Sequence, residues 1–241
     1  MTSLLTVQDA AGEQFLLVAE CFGPTLQGEG PSSGRPAKFV RLSRCNLSCT
    51  FCDTPFTWDT SRFDLRQQTT RMSVADVLAW ALSSPVDLIV ITGGEPLLQQ
   101  LPLVTLVGAL LRAGRRVEIE TNGTVLPHSD LLVDGVRFNV SPKLANAHLP
   151  QHKRIVGDTL TVLAASGHAL FKFVACDLAD LEEISQLQER FALPDVWVMP
   201  EGATPEQVIT RARLLVDAVI ARGWSLSLRQ HVLLWGDERG R

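Results

Sequence analysis

A repeated pattern constrains this chain most: a short apolar run, a polar motif at its end, then an amphipathic stretch. The apolar runs lie at 15–21, 38–42, 87–92, 116–120, 136–140, 170–175, 196–199 and 225–228. They are rich in Val, Ile, Leu and Phe, as strands buried on both faces of a parallel sheet are. Helical periodicity covers 74–83, 97–113, 158–165, 178–191 and 205–222. The last of these opens with Thr204, Pro205 and Gln207, which supply an N-cap, a first-turn proline and a capping-box glutamine. Ser73 with Asp76 is a weaker start signal of the same kind. Such alternation predicts a parallel α/β sheet with right-handed crossovers. About six central strands are too few for a closed eight-stranded barrel, so an open, partial barrel is expected. The 46% hydrophobic content can fill one core, and residues 1–241 read as a single domain. Residues 53–70 are polar and read as a loop.

The polar motifs fall on the carboxyl ends of the strands, where parallel α/β folds place their chemistry. One run leads into Cys45, Cys49 and Cys52, spaced CxxxCxxC with Phe51 before the last. Others end in Thr92-Gly93-Gly94-Glu95-Pro96, Glu120-Thr121-Asn122-Gly123, Ser141-Pro142-Lys143 and Pro200-Glu201. Three thiolates can hold three irons of a cubane cluster and leave the fourth open to a small molecule. A zinc site with a distant fourth ligand is the bland alternative, but no second CxxC pair accompanies the trio. Cys21 and Cys176 sit in apolar contexts and read as small buried hydrophobes.

Composition narrows the partners. A net charge of −4 and a pI near 5.7 give no basic footprint, so nucleic acid is not the expected substrate. Five cysteines, three of them crowded together, do not form a disulfide pattern. Residues 1–14 lack a signal peptide's positive start and apolar core, and no run of about 18 apolar residues suggests a membrane span. These features predict a protein of a reducing compartment, the cytoplasm, without membrane contact.

The cysteine spacing followed by Gly93-Gly94-Glu95-Pro96 resembles the radical S-adenosylmethionine superfamily. That resemblance implies an open (β/α)6 barrel with the cysteine-bearing loop at about 43–70. It implies that Cys45, Cys49 and Cys52 bind a [4Fe–4S] cluster whose fourth iron is chelated by S-adenosyl-L-methionine. Electron transfer from a donor such as flavodoxin or ferredoxin then generates a 5′-deoxyadenosyl radical. Phe51, Gly93, Gly94, Glu95, Glu120, Asn122, Ser141 and Lys143 are the implied cofactor contacts, with Glu95 near the methionine amino group.

A narrower resemblance rests on Gln27-Gly28-Glu29-Gly30-Pro31, Phe39-Val40-Arg41-Leu42, Cys52-Asp53-Thr54, Glu120-Thr121-Asn122-Gly123-Thr124, Ser141-Pro142-Lys143 and Phe171-Lys172-Phe173-Val174. This ordered set is similar to the 7-carboxy-7-deazaguanine synthase family. It implies a homodimeric lyase that converts 6-carboxy-5,6,7,8-tetrahydropterin to 7-carboxy-7-deazaguanine and ammonia, with Mg²⁺ held by Thr54. Gln27, Gly28, Glu29, Arg41 and Thr92 are then the expected substrate contacts. Glu29 offers two acceptor oxygens to pterin N–H groups, and Arg41 can grip a carboxylate bidentately. Each has an ordinary alternative: a solvated turn for Glu29, a structural ion pair for Arg41, and a supporting loop contact for Thr54. Glycyl-radical-enzyme activases share the superfamily motif, but typically carry His-Asn where this chain has Asp53-Thr54. A non-catalytic zinc- or cluster-binding module is a further alternative. Near the end, Arg229-Gln230-His231 stands where family members often carry Gln-x-His, and His231 is expected to be an ordinary packed or exposed histidine.

Overall fold

The computed structural model describes residues 12–236 and 238–241. Nine strands among them form one sheet: β1 (Phe15–Leu26), β2 (Pro36–Leu42), β3 (Thr70–Ser73), β4 (Leu88–Gly93), β5 (Arg116–Thr121), β6 (Val136–Val140), β7 (Ala169–Ala175), β8 (Val196–Pro200) and β9 (Ser225–Leu226). The order is β3-β1-β2-β4-β5-β6-β7-β8-β9, parallel from β2 onward. The sheet does not close on itself, so the fold is the expected open, partial α/β barrel. Helices α1 (Val74–Leu82), α2 (Gln100–Arg112), α3 (Gln151–Arg154), α4 (Gly157–Ala165), α5 (Leu178–Phe191), α6 (Pro205–Ala221) and α7 (Gln230–Trp235) complete it. Among the described residues no helix is long and apolar enough to cross a membrane.

Several expectations need correction. The first apolar run is not a parallel strand: β1 pairs antiparallel with β2 and with β3. Polar composition hides β3, a short strand at the sheet edge where the side chains of Thr70 and Arg71 stay exposed. The helix expected at 97–113 starts later. Pro96–Gln99 forms a tighter 3-10 turn, held by the Glu95 carboxylate accepting from the Leu97 amide at 2.9 Å. The last run keeps only two strand residues, because Ser227 turns inward and its Oγ accepts from the Gly30 amide at 2.7 Å. The start signals of α1 and α6 are realised: Ser73 accepts from Asp76, and Thr204 and Gln207 complete a capping box.

Alternation along the central strands sets the two faces of the sheet. Val117, Ile119, Phe138, Val140, Phe171 and Phe173 join the main core, which includes residues of α2, α4, α5 and α6. The intervening Glu118, Asn139 and Lys172 are buried as well, yet polar. Asn139 and Lys172 line a cavity at the opposite face, together with Glu120 and Val174.

Candidate active site

The cysteine loop is built onto the ends of β2 and β4. Arg44 N–H donates to Thr57 O at 2.8 Å, and Trp58 Nε1–H to Cys52 Sγ at 3.3 Å. The amide of Leu47 donates to Cys45 Sγ at 3.4 Å. Cys45, Cys49 and Cys52 all line the cavity with Phe51, and all five cysteines are free thiols. Burial pushes the Cys45 thiol up to about 12, and burial likewise raises Cys49. A thiolate there is favoured by positive charge beside it, which Lys143 supplies in part to Cys49. Among the described residues, no three His, Cys, Asp or Glu side chains gather closely enough to hold one metal ion. Thr54 is buried, lines the cavity, and places Oγ1 3.7 Å from Cys52 Sγ.

The glycine pair serves the loop directly. A Cβ at Gly94 would lie 2.1 Å from Arg44 O, and one at Gly93, where φ is +142°, equally close to Leu42 O. Gly94 and Glu95 amides donate to Leu42 O at 3.1 Å and Arg44 O at 2.8 Å. Only residues without Cβ let the β4 end approach the cysteine backbone this closely. Gly93, Gly94 and Thr92 also line the cavity.

Glu95 does not line it. The side chain is fully buried and accepts from Leu97 N, Thr121 Oγ1 at 2.9 Å and Asn122 N at 2.7 Å. Burial nevertheless raises its pKa. The Glu95 carboxylate pins the end of β5 to the β4 turn. That end carries Glu120 and Asn122, both in the cavity wall. Asn122 Nδ2 donates to Asn46 Oδ1 at 3.0 Å, tying β5 to the cysteine loop. Ser141 and Lys143 line the cavity after β6, and Lys143 Nζ donates to Ser141 Oγ at 2.8 Å.

The remaining wall is charged. Gln27 is buried, and its Nε2 reaches Glu118 Oε2 at 3.4 Å and Glu120 Oε1 at 3.3 Å. Glu118 also accepts from Ser32 Oγ and from Asn139 Nδ2 at 3.0 Å. Glu29 is not a solvated turn residue: it pairs with Lys172 Nζ, Arg229 Nε at 3.3 Å and His231 Nε2 at 3.9 Å. Burial alone would raise its pKa. Lys172, then Arg229 and His231, outweigh burial and hold the carboxyl well below its usual range. Lys172 titrates higher than usual: Glu29, then Glu120, reverse the effect of burial. Arg41 lines the cavity, but its Nε is held by Glu20 Oε2 at 2.8 Å, the structural pair set against a substrate role.

His231 lines the cavity. It packs on Gly28, where a Cβ would lie 2.1 Å from His231 Nδ1. Burial lowers its pKa. Lys172, Asn139 and Arg229 also line the cavity, and sequence reading assigned none of them a site role. For Asn139 and Lys172 a signal existed: a polar side chain at alternate positions of an otherwise apolar buried strand. Arg229 offered only its departure from the Gln-x-His pattern.

Residues 40–163, just over half of the chain, match the radical SAM superfamily. The 7-carboxy-7-deazaguanine synthase of Pyrobaculum aerophilum is 37% identical over 229 residues, 93% of this chain and 96% of that protein. The synthase of the same name from Rhodopirellula baltica is 35% identical, over 95% of this chain and 90% of that one. The crystal structure of QueE from Escherichia coli superposes with a TM-score of 0.71 at 28% identity, covering 90% of this chain and 95% of that one. Sequence and fold agree that this chain belongs to the 7-carboxy-7-deazaguanine synthase family of radical SAM enzymes.

Proposed function

We propose that this protein is a radical SAM carbon–nitrogen lyase that converts 6-carboxy-5,6,7,8-tetrahydropterin to 7-carboxy-7-deazaguanine and ammonia in 7-deazapurine (queuosine-type) biosynthesis. The observation that carries the reading is a single cavity lined by the three thiols, the Gly93-Gly94 strand end and the Gln27-Gly28-Glu29 loop. When bound, the [4Fe–4S] cluster and S-adenosyl-L-methionine supply a radical able to remove hydrogen from C6 of the pterin. Cys45, Cys49 and Cys52 are the proposed cluster ligands, with no fourth thiol lining the cavity. Phe51, Glu120, Asn122, Ser141 and Lys143 would contact S-adenosyl-L-methionine. Lys143 offers an ammonium and Glu120 a carboxylate, which suit a carboxylate and a ribose respectively. Glu95 supports them from behind.

On the substrate side, Gln27 and Glu29 offer acceptors for the pterin amino and ring N–H groups. Gly28, without Cβ, lets a flat ring approach the backbone. Glu29 stays ionised beside its cations and therefore accepts without donating. The Arg41 guanidinium keeps nitrogens beyond the one held by Glu20 and can meet the substrate carboxylate. Thr54 is the proposed protein ligand of Mg²⁺, a hard ion that accepts a hydroxyl oxygen and would neutralise that carboxylate. On family grounds the protein is expected to act as one domain, as a cytoplasmic homodimer, with flavodoxin or ferredoxin as electron donor and no nucleic-acid or membrane partner.

The test is anaerobic reconstitution with iron and sulfide, then incubation with S-adenosyl-L-methionine, reductant and 6-carboxy-5,6,7,8-tetrahydropterin. Mass spectrometry should detect 7-carboxy-7-deazaguanine and assay should detect released ammonia. Cleavage of S-adenosyl-L-methionine without a deazapurine product would refute the reading and leave an activase. Stoichiometric zinc without iron would leave a binding module.

A further inference from the structure

Arg229 follows β9 and precedes α7, and its side chain is buried. Its guanidinium works in three directions. Nη1 donates to Gly202 O at 2.8 Å, Nε to Glu29 Oε1 at 3.3 Å, and Nη2 to Asp53 Oδ2 at 2.5 Å. Gly202 lies between β8 and α6, Glu29 between β1 and β2, and Asp53 directly follows Cys52. One planar group therefore joins the charged wall of the cavity to the cysteine loop. A rigid fork of donors suits this geometry, whereas a lysine ammonium is a point charge.

The neighbouring residues hold the same arrangement. Gln230 N–H donates to Gly28 O at 2.8 Å, and Ser227 Oγ accepts from Gly30 N. The segment 227–231 thus brackets the loop that carries Glu29. Lys172 occupies Oε2 of Glu29 and Arg229 approaches Oε1. A carboxylate has about four lone-pair sites, so acceptor capacity remains.

We propose that Arg229 is a positioning residue: it orients Glu29 as an acceptor for the substrate's ring N–H groups and ties that carboxylate to Asp53, so that substrate affinity depends on the cysteine loop. Arg229 acts through Glu29 and not on the reacting atoms. The inference rests on the pterin reading above.

The test uses reconstituted holoenzyme and measures binding of 6-carboxy-5,6,7,8-tetrahydropterin and of S-adenosyl-L-methionine separately. Arg229→Gln should raise the pterin Kd at least about tenfold, the loss of a hydrogen bond between charged groups. Iron content and the Kd for S-adenosyl-L-methionine should stay at the wild-type values. Arg229→Lys should restore part of the affinity, because an ammonium can still pair with Glu29. Asp53→Asn should weaken pterin binding in the wild type and have no further effect in the Arg229→Gln background. Asp53 is 52% exposed, so this substitution spares the fold and keeps the test readable if Arg229→Gln does not fold. An unchanged pterin Kd in Asp53→Asn, equal effects of that change in both backgrounds, or equal loss of both ligands in Arg229→Gln would overturn the inference. If the wild type neither binds the pterin nor forms a deazapurine, the proposed function fails with it. If the wild type does both and the variants bind as tightly, the inference alone fails.

Discussion

The cysteine wall and the charged wall share one cavity but are drawn from different lengths of chain. The three thiols come from eight consecutive residues, and their loop is fastened by neighbours such as Thr57 and Trp58. The charged wall is assembled from Glu29, Lys172, Arg229 and His231, which lie up to 202 residues apart. A wall encoded by spacing survives as a sequence motif. A wall encoded by convergence exists only after the sheet has formed. The first should therefore fail through its own residues and the strand end beneath them, and the second through any of its distant contributors.

The largest expected effect is on the cysteine wall. Cys49→Ala removes one of three thiols, leaving too few ligands for a site-differentiated cluster. Reconstituted protein should carry little iron and show no turnover by mass spectrometry, with the fold intact by circular dichroism. Wild-type iron and activity would dissolve the contrast between the walls.

Next comes the support beneath that wall. Gly94→Ala places a Cβ 2.1 Å from the Arg44 carbonyl, which is backbone and cannot rotate away. Overpacking of this kind costs about 1–3 kcal/mol or more. The urea midpoint should fall, and the cluster loop should become the first region to lose protection in hydrogen exchange. A midpoint equal to the wild type's would mean the loop tolerates a shift of the strand end.

What the sequence made legible follows the same division. The strand–helix alternation of the central sheet, the cysteine trio and the Gly-Gly turn are local patterns, and the central strands, the trio and the turn lie in the expected order along the fold. Glu95 was legible as a motif member, but its hydrogen bonds to Thr121 and Asn122 on β5 and just beyond it were not. Arg41 was legible as a buried cation needing an anion, yet Glu20, on the antiparallel strand β1, supplies one. That pairing was hidden because β1 read as parallel. The partners of Glu29 were hidden for a deeper reason. Nothing in residues 27–31 states that Lys172 and Arg229 will arrive beside them. Strand β3 was missed because Thr70–Ser73 carries edge-strand polarity and no apolar run.

A smaller effect sharpens the charged wall. Lys172→Met removes one cation but leaves Arg229 beside Glu29, so the carboxylate is not stranded. With that pair kept, the loss should fall well below the about 3–5 kcal/mol typical of a broken buried pair. Pterin affinity should drop more than affinity for S-adenosyl-L-methionine, as calorimetry on holoenzyme can resolve. Equal losses would make the wall a structural support and not a substrate contact.

The smallest effect tests whether Glu29 is ionised by its neighbours. In the unfolded chain it titrates near 4.5, while in the fold its cations hold it well below that value. At pH values above about 4.5 both states are ionised and the ion pairs contribute fully. As pH falls below 4.5, the unfolded chain takes up a proton that the folded chain refuses, so stability is progressively lost. Glu29→Gln removes this group from the balance. The difference in urea midpoint between wild type and variant should be constant from pH 7 to pH 5 and shrink between pH 4.5 and pH 3. A difference that stays constant down to pH 3 would mean that Glu29 titrates alike folded and unfolded, and that the convergence of Lys172 and Arg229 on it carries no electrostatic weight.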